Sequence, residues 1–471
     1  MTNIKWMRCC GPAAATQRRN RHPCLPPLAA GRIVLALALG VADRAEAVPS
    51  FSDQTGDPCS ACHVGSFGPQ LTAHGREFKL TGYSDGTRTR QVPLLSAMVE
   101  TSYTQTQKDQ SGPAAPGFKG NDNIAFDQIS FFIAGRIYDH LGIFDQITWD
   151  GVAHTWAWDN LDLRYGRETQ LGGIDAILGV TVNNNPTVTD PYNSTPAWSF
   201  PYASSKLALT PASTLIEGAL SGRVLGSTVY GLFGDLVYVE AGAYGALPQL
   251  GNHQVLGVFP TDGPVLNGAA PYWRLALQHE TPKLSLSLGT FGISAGVFPN
   301  NDQLSGTDQY LDIGFDASLQ YHASKKHVFS LYATAIRETA QLNSSVTSGA
   351  AANKNFSLNT FKMNGSYYYD QTWGLTVGMF SVHGSNDALL YASAPDVGSL
   401  SNSPDSDGYI VQIDWTPFGK EDSWGQPWAN LRLALQYTGY TRFNGGSTNY
   451  DGFGRNASNN NTLYLLGWVA F

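Results

Sequence analysis

Residues 311–321 read Leu-Asp-Ile-Gly-Phe-Asp-Ala-Ser-Leu-Gln-Tyr. Leu311, Ile313, Phe315, Ala317, Leu319 and Tyr321 fall on one parity, and Asp312, Gly314, Asp316, Ser318 and Gln320 on the other. Successive side chains of a strand point to opposite faces, so period-2 alternation predicts a β-strand with one apolar and one polar side. Lipid would meet the first set and lumen water the second. The division recurs with Tyr409, Val411, Ile413 and Trp415 against Gln412, Asp414 and Thr416. It appears again with Leu431, Leu433, Leu435 and Tyr437 against Arg432, Gln436 and Thr438, and with Leu161, Leu163 and Tyr165 against Asp162 and Arg164.

Working outward, about sixteen such segments start near residues 92, 124, 142, 157, 172, 225, 237, 272, 284, 308, 326, 358, 372, 407, 427 and 461. Tight turns at Tyr138 to Gly142, Thr281 to Lys283, Ala323 to Lys326 and Tyr369 to Thr372 alternate with long Gly-, Ser-, Asn- and Pro-rich stretches. Those stretches lie near 104–123, 184–212, 246–270, 338–357, 384–406 and 441–460. Short periplasmic turns and long outer loops are the asymmetry of an outer-membrane barrel. The fold class this predicts is all-β, a transmembrane antiparallel β-barrel of about sixteen strands over residues 92–471. A soluble sandwich also alternates, but it puts charge on its exposed face and breaks into domains, whereas this pattern runs on without a linker. Composition agrees, with 14% charged residues, 12% aromatics and 50 glycines, and no stretch of about 18 consecutive apolar residues that would cross a bilayer as a helix. The last segment, NTLYLLGWVAF, ends on the aromatic Phe471 and resembles the C-terminal strand by which bacterial outer-membrane proteins are recognised for insertion.

At the other end, Arg18, Arg19, Arg21 and Arg32 precede an apolar run from Ile33 to Ala42, and Ala45-Glu46-Ala47 presents small residues where a signal peptidase cuts. Residues 1–47 therefore read as a cleaved signal peptide. Its removal takes seven basic and two acidic residues, so the formal charge of −8 becomes −13. That balance disfavours nucleic acid as a partner and attracts small cations. Cys9, Cys10 and Cys24 leave with the leader, and the remaining Cys59 and Cys62 cannot make a disulfide framework.

Between leader and first strand, residues 48–91 show neither period and bury too little surface to fold alone. They contain Cys59-Ser60-Ala61-Cys62-His63. Two thiols separated by two residues reach both vinyl groups of a haem as thioethers, and the histidine that follows puts an imidazole under the iron. The motif predicts one covalent haem c held by Cys59 and Cys62, with His63 as proximal iron ligand. A zinc site would need two further ligands nearby, and a thioredoxin-like pair would need a βαβ setting; the sequence offers neither. Two candidates for the distal ligand stay open. His74 follows His63 by eleven residues, and Met98 lies early in the first strand on the face of Glu100, Ser102 and Thr104. Against each stands the ordinary role of its type, a hydrogen-bonded surface histidine or a packing methionine. Arg76 and Lys79, one helical turn apart, could pair with haem propionates, or remain solvated.

The run AVPSFSDQTGDPCSACHVGSFGPQLTAHGREFKLTGY ahead of a barrel with an aromatic C-terminus resembles the fused outer-membrane monohaem cytochrome c-porins, which include the iron-oxidising outer-membrane cytochromes. The resemblance transfers Cys59, Cys62 and His63 and implies electron transfer from an extracellular donor, Fe(II) or another small redox donor, to a periplasmic c-type cytochrome. In enzymatic terms that is an Fe(II):cytochrome c oxidoreductase lodged in outer-membrane lipid. The haem c segment would fold inward as a lumen plug, near mid-lumen, where it could reach both sides of a hydrocarbon layer about 25 Å thick. Electron flow in the opposite direction fits the same residues. The alternative from another class is a passive diffusion porin whose haem peptide hangs in the periplasm as a docking or sensing module.

Overall fold

The structure, a computed structural model, describes residues 50–86, 94–247, 264–299, 304–421, 423–425 and 429–471. The signal peptide read at residues 1–47 lies outside the described residues, as do residues 92 and 93 of the first expected strand.

The strands are β1 (Leu94–Thr106), β2 (Asn123–Tyr138), β3 (Leu141–Asp150), β4 (Thr155–Leu171), β5 (Ile174–Asn183), β6 (Val224–Phe233), β7 (Val237–Ala246), β8 (Val265–Leu266), β9 (Ala270–Glu280) and β10 (Leu284–Phe298). They continue with β11 (Asp308–Ser324), β12 (His327–Gln341), β13 (Asn355–Tyr369), β14 (Trp373–Gly384), β15 (Ser406–Trp415), β16 (Asn430–Arg442) and β17 (Thr462–Ala470). The two-residue β8 pairs with the end of β10 beyond β9, so sixteen strands form the staves. Every pairing is antiparallel, the sixteen staves pair in chain order, and β1 pairs with β17 from Met98↔Ala470 to Thr106↔Thr462, which closes the sheet. Closure removes both edges, the condition under which a sheet can sit in hydrocarbon.

Every stave begins within three residues of its expected start. Short turns such as 139–140, 172–173 and 325–326 gather at one end, and loops such as 107–122, 385–405 and 443–461 lie at the other. The alternation is realised in three dimensions: Phe315 is 62% exposed while Asp312 is fully buried. An outward apolar band includes Leu288, Leu331, Val377, Ile413 and Leu435, with Tyr138, Trp373 and Tyr369 near the turn end. These features define a porin-like outer-membrane β-barrel.

Two expectations need correction. The polar face of the staves does not meet open water: Asp312, Asp316, Gln320, Arg164 and Arg432 are all buried. The reason is the second correction, since residues 184–223 are not an outer loop but fold into the lumen. This inner loop reaches across to many staves. Asp190 pairs with Arg274 on β9 at 3.1 Å, Ser194 donates to Asp316 on β11 at 2.5 Å, and Leu215 N donates to Glu338 on β12 at 2.6 Å. On the opposite wall Ser205 bonds Thr104 of β1 at 2.7 Å and Gln436 of β16 donates to the Ala203 carbonyl at 3.0 Å.

Candidate functional site

Residues 50–86 fill the turn-side mouth of the barrel. They form α1 (Ser50–Thr55), α2 (Cys59–Cys62) and α3 (Ala73–Leu80). Helix α3 starts where a Thr72 side chain accepts from Gly75 N at 3.2 Å, the usual way a threonine satisfies an orphan first-turn donor. So short a segment has little core of its own, and the barrel wall satisfies its polar groups instead. Arg136 N of β2 donates to Gln54 Oε1 at 2.7 Å, Tyr230 OH of β6 donates to the Leu80 carbonyl at 2.6 Å, and Arg76 pairs with Glu280 of β9 at 2.6 Å. Gln320 of β11 donates to the Leu71 carbonyl at 2.8 Å, Gln371 accepts from Gly65 N at 2.7 Å, and Asn430 of β16 donates to the Ser66 carbonyl at 2.7 Å. From the lumen side, Leu71 N donates to Asn193 Oδ1 of the inner loop at 2.6 Å.

Wall glycines let the plug sit this close. A Cβ on Gly166 of β4 would stand 1.9 Å from the Leu80 carbonyl oxygen. Within the plug, a Cβ on Gly75 would stand 2.3 Å from the Cys62 carbonyl oxygen, so α3 presses on the Cys59–Cys62 turn only because residue 75 has no side chain.

Between plug, inner loop and wall lies a cavity of 490 Å³, of a size that takes a small-molecule cofactor. Cys59, Cys62 and His63 all line it. Phe51, Phe78, Phe132, Phe144 and Trp198 supply aromatic walls, with Phe51 5.1 Å from Phe78 and Phe144 6.1 Å from Trp198 between ring centroids. The remaining wall is the barrel's own seam. In register across β16, β17 and β1 run Asn430, Ala470 and Met98, then Arg432, Trp468 and Glu100, and all six face the cavity. The cavity therefore extends from the turn-side ends of β16 and β17 to the middle of β2 and β3 and to Asp159 and Asn160 in the outer half of β4.

The chemistry of these side chains fits a covalently attached haem. The two thiols are not joined to each other. Burial, with Asp57 and Cys59 nearby, pushes the Cys62 thiol up to about 12, and burial raises Cys59 as well. A dithiol redox pair needs the opposite shift, toward thiolate. Burial pulls His63 down to about 4, which keeps its imidazole neutral and able to ligate. His63 Nδ1 is buried without a hydrogen-bond partner among the described residues. Arg432, stacked 3.9 Å over Phe67 and paired with Asp414 at 2.7 Å, keeps its buried Nη2 unpartnered, a free donor on the cavity wall suited to a carboxylate. Among the described residues no group of three or more His, Cys, Asp or Glu is placed to hold a bare metal ion.

The distal candidates part company. His74 is about half exposed, sits 3.2 Å from Asp57 Oδ2 and does not line the cavity. Met98 lines it and is 8% exposed. Neither cation of α3 is solvated. Arg76 faces Glu280 and Ser285 rather than the cavity. Lys79 donates to the Val188 and Asp190 carbonyls of the inner loop at 2.7 and 3.2 Å, 5.1 Å from the Trp198 ring, and burial together with Arg164 draws its ammonium down to about 7.

Sequence reasoning missed the inner loop's part in this site. Residues 184–205 carry one charged residue, Asp190, in an otherwise polar and aromatic run, and that scarcity of charge was the available signal that the loop is buried.

No protein-family model matches the chain, and no curated protein matches it. Among solved structures it is similar to OmpT, an outer membrane protein of Vibrio cholerae, at 12% identity and a TM-score of 0.41 over 82% of this chain and 98% of that one. It is also similar to the outer membrane channel DcaP of Acinetobacter baumannii, at 11% identity and a TM-score of 0.43 over 80% and 96% of the two chains. An anion-selective porin from Comamonas acidovorans stands at 12% identity and 0.43, covering 80% of this chain and 99% of that one. The barrel assignment itself rests on the strand pairings and the outward apolar band.

Proposed function

We propose that the chain is an outer-membrane electron-transfer protein carrying one haem c inside its barrel, attached through Cys59 and Cys62 with His63 as proximal iron ligand. The observation that carries this reading is that the three side chains share an aromatic-walled cavity inside a closed transmembrane barrel. Bound there, the group would supply a one-electron centre that oxidises an extracellular donor, Fe(II) to Fe(III) by the family resemblance, and passes the electron to a periplasmic c-type cytochrome.

The chain's own residues do the rest. Cys59 and Cys62 anchor, the neutral His63 ring ligates, and the aromatic rings exclude water from the cavity. Among the described residues, the plug lies on the turn side of the cavity. Toward the exterior, Asp159 on its wall is four residues from Thr155 at the outer end of β4, about 13 Å along the strand. The β3–β4 connection at 151–154 is a short outer loop, so the barrel rim is low on this side. A donor at that rim comes within tunnelling reach of the cavity.

A second reading, a diffusion channel, draws support from the sixteen-stave barrel. The plug and the inner loop, which cross the lumen, stand against it. Purified protein in detergent separates the two. The electron-transfer reading expects covalent porphyrin by mass spectrometry, reduction of the oxidised haem on adding Fe(II), and little solute conductance in planar bilayers. Covalent haem that no Fe(II) concentration reduces removes iron as donor. Absence of porphyrin together with open-pore conductance leaves the channel.

A further inference from the structure

Of all the described histidines and methionines, only His63 and Met98 line the cavity. They come from different parts of the chain, His63 from the plug and Met98 from stave β1. In the wall, Met98 is paired in register with the small residues Ala470 of β17 and Ser130 of β2, and it lines the cavity. Lys79, a lysine on the same lining, already donates to two carbonyls.

We propose that Met98 Sδ is the distal iron ligand, so that the barrel wall, rather than the haem segment, completes the coordination. This rests on the haem reading above and deepens it. A neutral, soft thioether opposite an imidazole raises the reduction potential relative to a second imidazole, which suits a centre that must accept electrons from a weak reductant such as Fe(II). The arrangement also couples coordination to assembly. Met98 lies at the turn-side end of the β1–β17 pairing, opposite Ala470, so the ligand is in place only once the seam of the barrel has closed. Before closure the plug would carry its haem with one protein ligand, and after closure with two.

The test uses the full-length holoprotein in detergent. Wild type should show the weak far-red absorption band of a thioether bound to ferric iron. Met98→Leu, which keeps the volume and removes the donor, should retain covalent haem and heat-modifiable barrel mobility, lose that band and shift to a lower midpoint potential. Should that variant fail to accumulate, Met98→His serves in its place, with a bis-histidine spectrum and a lowered potential expected. Heating wild type until the barrel unfolds should abolish the band while haem remains attached. A band and potential unchanged in Met98→Leu, or a Met98→His spectrum identical to wild type, overturns the assignment and leaves the haem reading standing. Wild type without covalent porphyrin overturns both.

Discussion

Gly75 decides how the attachment turn is held. The sequence shows only a glycine in the first turn of a helix, where its conformational freedom has no evident use; the structure shows the Cys62 carbonyl resting where a Cβ would be. Replacing it with alanine should push α3 from the Cys59–Cys62 turn at a cost of about 1–3 kcal/mol, typical of forcing an extra carbon into a packed site. The expected outcome is faster proteolysis of the plug and reduced haem content with unchanged barrel mobility on gels. Cys59, Cys62 and His63 could be read together from the sequence because they lie within five residues, and the structure brings all three to one cavity. His74 and Met98 both stayed open from sequence, since distance along the chain says nothing of which one faces the cavity.

At the scale of elements, a buried charge network holds the inner loop in the lumen. Arg274 on β9 bonds both carboxylate oxygens of Asp316 at 2.9 Å and reaches Asp190 of the loop, with no exposure at any of the three side chains. Arg274→Met strands two carboxylates in a dry site, a loss of about 3–5 kcal/mol for breaking such a pair. The loop should detach from the β9–β11 wall, and conductance in planar bilayers should rise above the wild-type level. An unchanged, low conductance would show that the plug alone seals the barrel. Staves were read to within three residues because alternation is a local, repeated signal. The inner loop was read as an outer one, because its direction is fixed by partners such as Arg274, Asp316 and Glu338 that lie 84 to 123 residues from the loop residues they bond.

The whole molecule is closed at a seam that also forms the cavity wall. Phe471 takes part directly, accepting from Ala97 N at 2.7 Å and donating back to the Ala97 carbonyl at 2.9 Å. Deleting Phe471 removes two ladder hydrogen bonds, about 1 kcal/mol each, from the strand pair that completes the barrel. A smaller heat-modifiable fraction and easier unfolding in detergent are expected. If Met98 is the distal ligand, the thioether band should weaken in step with the folded fraction.

By itself the sequence determined the alternation that makes staves, their number and order, and the five-residue motif, since each of these is written in neighbouring residues. Only the tertiary structure decided that residues 50–86 and the inner loop fill the lumen, that the polar stave faces are buried, and that Met98 rather than His74 shares a cavity with His63. Those outcomes depend on which distant groups meet when the sheet curls through sixteen strands and β1 finds β17, a geometry set by closure of the ring rather than by any stretch of chain.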